Sequence, residues 1–358
     1  MALVQLASLK VFLSKPFVTL DVCSDFLLGR WKLNNCKEIE NVSLENKTIL
    51  VTGCNTGIGY ATCLKLARAK ARLLICCRTL QKSKATAERL KKDLGIHETT
   101  RFCCLEADMA DLNAVSTLAK RILELNEPIH FLVLNAGVMQ AAKKKMTRDG
   151  LELHFAVNHM GHFLLTYLLL PRLIQSAPSS VIVVTSNAYE YGKPEKLADY
   201  RFVNYPYIPV SAYAQSKLAN ILFAYELRKR MKDKGVEVFA VHPGAVLSDI
   251  YREEWLLHAP VIGFFSKRLL SYIMRTPTEG ASTITALIAN AICSSDPSFR
   301  HVNDLSSNLY WKDCKPQNVN NDLVNDVSSE FLWRVSLSIL QELGIVNEKI
   351  LPIEERCC

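Results

Sequence analysis

The sequence predicts an α/β fold in a single domain, built as a doubly wound parallel sheet with helices on both faces. Three observations predict it. Short β-branched, apolar runs alternate with longer stretches of helical periodicity, the pattern of parallel strands joined by crossover helices. The first run ends in a glycine cluster, Thr52-Gly53-Cys54-Asn55-Thr56-Gly57-Ile58-Gly59, placed where a helix begins. The 358 residues, 49% of them hydrophobic, can fill one large core, and neither a Pro/Gly/Ser linker nor an internal repeat divides them.

Residues 1–45 precede the domain and read as an extension. Lys10, Lys15, Asp21 and Asp25 interrupt their apolar stretches, so no run reaches the roughly 20 residues of a membrane span. Ala2 to Leu13 also lacks the basic start and cleavage site of a secretory signal. An interfacial helix and a segment packed on the domain both stay open.

The domain itself runs from 46 to 345, with strands expected at 47–52, 72–77, 101–106, 130–135, 181–185 and 236–242. After the first strand, Ile58 to Ala69 carries apolar residues at helical spacing. A glycine-rich turn there lets backbone approach a pyrophosphate and aims helix N-terminal N–H groups at it, although a tight turn with no ligand has the same composition. The second strand ends in Cys77-Arg78. No Asp or Glu stands there to accept hydrogen bonds from an NAD ribose, whereas the Arg78 guanidinium can meet a 2′-phosphate, so NADP(H) is the expected cofactor. Lys82 and Lys84 read as solvated helix residues.

Further along, Tyr213 and Lys217 lie four apart and hence on one helix face. A Lys ammonium beside a phenol is expected to lower its pKa from about 10 and suit it to exchange a proton with a carbonyl or alcohol oxygen. Ser186, ending the fifth strand, can bond the same oxygen. His154, His159 and His162 read as structural histidines, with His159 and His162 on one helical face, and His242 as a packed residue. No G-x-S-x-G elbow is present. Among the 12 cysteines, Cys76-Cys77 and Cys103-Cys104 fall in strands, so core thiols are expected rather than a disulfide framework. No Cys/His spacing indicates a metal.

Taken together, these segments resemble the short-chain dehydrogenase/reductase family, whose first turn reads TGxxxGxG. Gly53, Gly57 and Gly59 fit it, and the family's other segments follow in order: Asp108 in Leu-Glu-Ala-Asp-Met, Asn135-Ala136-Gly137, Asn158, Ser186, Tyr213 with Lys217, and Pro243-Gly244. The likeness spans roughly residues 46 to 345. The wording is nearest to the retinol dehydrogenase group and to the dehydrogenase part of the WW-domain-containing oxidoreductase, in Thr147-Arg-Asp-Gly-Leu-Glu152, Asn158-His-Met-Gly-His-Phe-Leu-Leu165 and Ser216-Lys-Leu-Ala-Asn-Ile-Leu-Phe223. No WW module accompanies them.

The resemblance implies a Rossmann-type sheet and a catalytic set of Asn158, Ser186, Tyr213 and Lys217. Asn158 would anchor a water-linked proton relay, and Lys217 would hold the nicotinamide ribose. It implies a cofactor site made by Gly53, Asn55, Thr56, Gly57, Ile58, Gly59, Arg78, Asp108, Asn135, Ala136, Gly137, Tyr213, Lys217, Pro243 and Gly244. Between Ser248 and Pro277 lies a segment dense in large apolar residues, Trp255, Phe264, Phe265 and Tyr272 among them. By resemblance it is a helical lid over a lipophilic carbonyl or alcohol of the retinoid, steroid or long-chain aldehyde class; a pair of helices closing the core is the plainer account.

Lys70 departs from the family pattern, standing where a glycine caps the first helix. Residues past about 300, with Pro316 and an Asn-rich 318–325, carry no diagnostic pattern, and 346–358 reads as a tail. Its Cys357-Cys358 is not a CaaX box. The net charge of +8 suits an anionic cofactor or an anionic lipid surface equally. The expected location is cytoplasmic, with peripheral contact on an intracellular membrane left open, as are monomer and homodimer. No nucleic-acid partner is expected. Two other functions compete: a catalytically silent nucleotide-binding scaffold, and an epimerase or dehydratase of nucleotide sugars, whose relatives read TGxxGxxG.

Overall fold

In a computed structural model, which describes residues 33, 36, 39–96, 101–139, 143–246, 274–295 and 309–346, the six expected strands form within two residues of their expected limits. They are β1 (Thr48–Thr52), β2 (Arg72–Cys77), β3 (Phe102–Glu106), β4 (Phe131–Leu134), β5 (Ser179–Val184) and β6 (Val236–His242). The crossovers are α1 (Gly57–Arg68), α2 (Leu80–Leu94), α3 (Leu112–Glu124), α4 (Gly161–Gln175) and α5 (Pro209–Arg230). A helical turn at Leu153–Phe155 and a π-helical turn at Ala156–Met160 lead into α4. After β6 come α6 (Ser282–Ser295), β7 (Tyr310–Lys312), β8 (Lys315–Gln317) and α7 (Asp326–Glu342).

The strand order is β3-β2-β1-β4-β5-β6-β7-β8. All pairs are parallel except β7 with β8, and Val51 of β1 lies between Ile75 of β2 and Val133 of β4. The winding reverses between β1 and β4, which opens a crevice at the carboxyl ends of these strands. Because side chains alternate along a strand and both faces are covered, every residue of β1 is buried. Leu50, Leu132 and Val181 face the layer of α3, α4 and α5, whereas Ile49, Val51 and Val133 face α1 and α6. Ile39 and Leu44, ahead of the first strand, are buried in that second layer.

Two strands were not anticipated. β7 and β8 have three residues each, too few to show an alternation, and Pro316 in β8 is tolerated because that strand is the sheet's edge. The turn between them places Asp313 and Cys314 at φ 55° and 59°, the mirror-image geometry of a two-residue hairpin. The cysteine expectation also needs correction. Cys54, Cys63, Cys76 and Cys77 are buried free thiols and Cys103 and Cys104 are half-buried, as core thiols should be, but Cys36 and Cys314 form a disulfide. Their separation of 278 residues carries no spacing signal.

The undiagnostic C-terminal region forms α7, which covers α4 and α5. Trp333 meets Phe163 edge-on with centroids 5.0 Å apart and stacks over Phe223. Beside it, buried Glu226 accepts from Arg230 and from the Ser329 hydroxyl, and Arg230 also pairs with Glu330. Lys70 takes φ 68°, so the family's left-handed cap is kept without its glycine. The N–H groups of Lys70 and Ala71 then close on the carbonyls of Ala67 and Leu66. No helix among the described residues is long and apolar enough to cross a membrane. All but the last four residues of the expected lid lie outside the described residues, as do most of the first 38 residues and the tail from 347.

Candidate active site

The glycine-rich turn is built by close approach. A Cβ on Gly53, at φ +71°, would lie 2.8 Å from Ala136 Cα, and one on Gly59 would lie 2.1 Å from the Gly53 carbonyl oxygen. Only glycine lets β1, α1 and the loop after β4 meet there. Asn135 completes the junction, its Nδ2 donating to the carbonyls of Thr52 at 2.9 Å and Gly53 at 3.3 Å. Thr56 caps α1 with extended backbone and no side-chain bond to the helix, so the first-turn N–H groups face the crevice with their partial positive charge.

From this turn a groove of about 420 Å³ runs along the sheet's carboxyl edge. It brings together Gly53, Asn55, Thr56, Gly57, Ile58, Gly59, Arg78, Asp108, Asn135, Ala136, Gly137, Tyr213, Lys217 and Pro243, every expected cofactor residue except Gly244. Gly244 stands behind the wall at φ +84°, where a Cβ would strike the Arg275 side chain. At one end, Arg78 Nε is 3.7 Å from Asp108 Oδ2, both side chains open to solvent, with Lys82 alongside.

At the other end α5 presents Tyr213 and Lys217, after Pro209 starts the helix at its first position. Lys217 Nζ donates to the Val184 carbonyl at 3.1 Å and lies 5.6 Å from the centroid of the Tyr213 ring. Ser186 stands near enough to the Tyr213 hydroxyl to favour its ionised form. The expectation that the ammonium lowers the phenol's pKa is not met in this arrangement. Burial pushes Tyr213 up to about 12, with Ser186 opposing it, and burial brings Lys217 down to about 8. Desolvation outweighs the helical spacing because the ammonium is turned to a carbonyl, not to the phenol oxygen.

Asn158 sits in the π-helical turn, fully buried. Its Oδ1 accepts from the Val138 N–H at 2.8 Å, and its Nδ2 donates to the Val138 carbonyl and to Ser216 Oγ. The side chain thus locks the loop after Gly137 against α5. The three histidines are buried and each is held in a hydrogen bond. His154 bonds Glu152 at 2.6 Å, His159 bonds Ser336 of α7 at 2.8 Å, and His162 bonds Thr52 at 2.9 Å. Burial lowers both His159 and His162 to about 3.

Three supporting residues escaped the sequence reading. Thr52 Oγ1 accepts the N–H groups of Asn135 and Ala136, and Thr185 Oγ1 donates to the Lys217 carbonyl. Fully buried Arg275 donates to the Pro243 carbonyl at 2.9 Å and pairs with Asp313. Thr52 opens the glycine motif and Thr185 precedes Ser186, so adjacency could have found them; Arg275 had no signal.

A family model described as short chain dehydrogenase matches residues 47–200. Mouse retinol dehydrogenase 12 is 38% identical over 305 residues, covering 84% of this chain and 88% of that one. The chain belongs to the short-chain dehydrogenase/reductase family. Human retinol dehydrogenase 11 is also similar within it, 35% identical over 301 residues, with 84% of this chain and 87% of that one covered. A solved protein of Mycobacterium paratuberculosis, 26% identical, superposes with a TM-score of 0.63 over 86% of this chain and 98% of its own. The L-sorbose reductase of Gluconobacter frateurii shares the fold at 19% identity and a TM-score of 0.55, over 69% and 91%. The chain is therefore an oxidoreductase related to the retinol dehydrogenases.

Proposed function

We propose that this short-chain dehydrogenase/reductase uses NADP(H) to interconvert a lipophilic alcohol and its carbonyl. The observation that carries the reading is that one groove holds both Tyr213, with Lys217 beside it and Ser186 nearby, and Arg78. The residues fit a phosphorylated dinucleotide. Glycine backbone and the open N-terminus of α1 suit a pyrophosphate, and Arg78, solvent-open after β2 where no Asp or Glu ends the strand, suits a 2′-phosphate that would displace its 3.7 Å contact with Asp108. The nicotinamide, when bound, supplies or accepts hydride at the reacting carbon.

Tyr213 supplies the proton. With its pKa near 12 the phenol is protonated at neutral pH, ready to donate to a carbonyl oxygen that Ser186 also holds. In the oxidative direction Tyr213 must take a proton as a phenolate, which the Lys217 ammonium would stabilise once turned toward it from the Val184 carbonyl. With Lys217 near 8, that charge is present below pH 8 and lost above it. The retinol dehydrogenases among the relatives support an apolar substrate of the retinoid or long-chain aldehyde class.

The test is a pair of variants assayed with a long-chain aldehyde and NADPH. Tyr213→Phe keeps the ring but loses the proton, so kcat should fall by at least about 100-fold with NADPH affinity unchanged. Arg78→Ala should weaken NADPH by about 10-fold and leave NADH alone, read by ligand-induced fluorescence. Normal turnover by the phenylalanine variant would sink the proton-donor assignment. Equal NADH and NADPH affinities in the wild type would sink the cofactor assignment.

A further inference from the structure

We propose that His162, held as its neutral Nδ1–H tautomer, is a positioning residue that aims the Asn158 carbonyl for proton transfer and ties it to the cofactor-binding loop. The inference rests on the catalytic reading above.

The tautomer follows from counting donors around Thr52. Its hydroxyl oxygen accepts from the N–H groups of Asn135 and Ala136, each at 3.0 Å, which uses both lone pairs. The hydroxyl proton must go outward. Two acceptors are in range: His162 Nε2 at 2.9 Å and the Val133 carbonyl at 3.5 Å. The short contact takes the proton, so Nε2 is bare and the ring's only N–H is at Nδ1. That N–H lies 3.2 Å from the Asn158 carbonyl oxygen and donates to it. The opposite tautomer would crowd three donors around Thr52 and set the Nδ1 lone pair against the carbonyl's own. Both ends of the ring therefore agree.

His162 is 1% exposed, and its pKa of about 3 keeps it neutral across the working range, with the Lys217 charge among the causes. It cannot serve as an acid or base there, and orientation is what remains. The Asn158 side chain is already committed to Val138 and Ser216, so the backbone carbonyl is the part of Asn158 left for chemistry. His162 occupies one lone pair of that carbonyl and so fixes the direction in which it points. Through Thr52 the same ring is joined to Asn135 and Ala136, both of which line the groove. A displacement of the loop is thereby transmitted to the relay carbonyl through two hydrogen bonds.

The test separates the two bonds. Asn at 162 places its amide N–H near the Nδ1 position and keeps the bond to Asn158; Gln reaches the Nε2 position and keeps the bond to Thr52. With NADPH and a long-chain aldehyde, His162→Asn should retain kcat within about 3-fold, and His162→Gln should lose about 30-fold, both with KM and NADPH affinity within about 2-fold. Equal losses that follow the melting temperature, or full activity in His162→Gln, would overturn the positioning role. Nitrogen-15 NMR of histidine-labelled wild type adds a readout independent of turnover. A proton on Nδ1 with a bare Nε2 is expected, and the reverse overturns the proposal. A wild type with the expected tautomer but no turnover would instead fail the proposed function.

Discussion

Lys70 shows a side chain working against its backbone. At φ 68° it occupies a conformation in which a Cβ costs roughly 1 kcal/mol relative to glycine. What it gains is small: Glu45 lies 3.8 Å from its ammonium, with both side chains about two-thirds exposed, and such pairs contribute little. Lys70→Gly should therefore raise the melting temperature by about 1–3 °C, with activity unchanged. A lower melting temperature in differential scanning calorimetry would mean that the ion pair outweighs the strain.

At the scale of elements, α7 is held partly by a histidine that must stay uncharged. His159 is buried between Phe155, Phe163 and Phe223 and bonds Ser336. Its folded pKa of about 3 lies below the ordinary 6.5, so the unfolded chain binds the proton more readily. Stability is then complete above about pH 6.5 and lost as pH falls toward 3, at up to ~1.4 kcal/mol per pH unit for each such group. His162 has the same sign. Urea midpoints measured from pH 7 to 4 should decline, and His159→Gln should flatten the slope by about one proton.

The same elements show where sequence reading succeeds. Strands β1 to β6 were legible because most of their residues are buried and each carries a short apolar run with a turn at its end, even edge strand β3 with its half-buried cysteines. The glycines were legible because backbone approach at Gly53 and Gly59 tolerates nothing else. The hairpin of β7 and β8 was not, since three residues show no period. The pKa of Tyr213 departs from the spacing-based expectation for a related reason: spacing places Lys217 on the right helix face, but the Val184 carbonyl, from another element, decides where the ammonium points, and burial governs the phenol.

For the molecule as a whole, the substrate is expected to be selected by apolar burial. Each additional buried CH₂ contributes about 0.8 kcal/mol, so kcat/KM should rise several-fold per methylene across an aliphatic aldehyde series until the site is filled. Phe264→Ser should flatten the rise. Short polar carbonyls turned over as well as long ones would exclude a lipophilic site.

The Cys36–Cys314 bond gives the molecule a different topology from its linear sequence. All seven parallel strands from β1 to β7, the glycine turn and Tyr213 lie inside one covalent ring closed by that bond. A single peptide cleavage anywhere between the two cysteines opens the ring into a linear branch but releases nothing. Limited proteolysis that cuts once near residue 260 should leave a species of full mass on a non-reducing gel, which parts into two fragments only when thiol is added. In its oxidised form, this protein can be nicked without being divided.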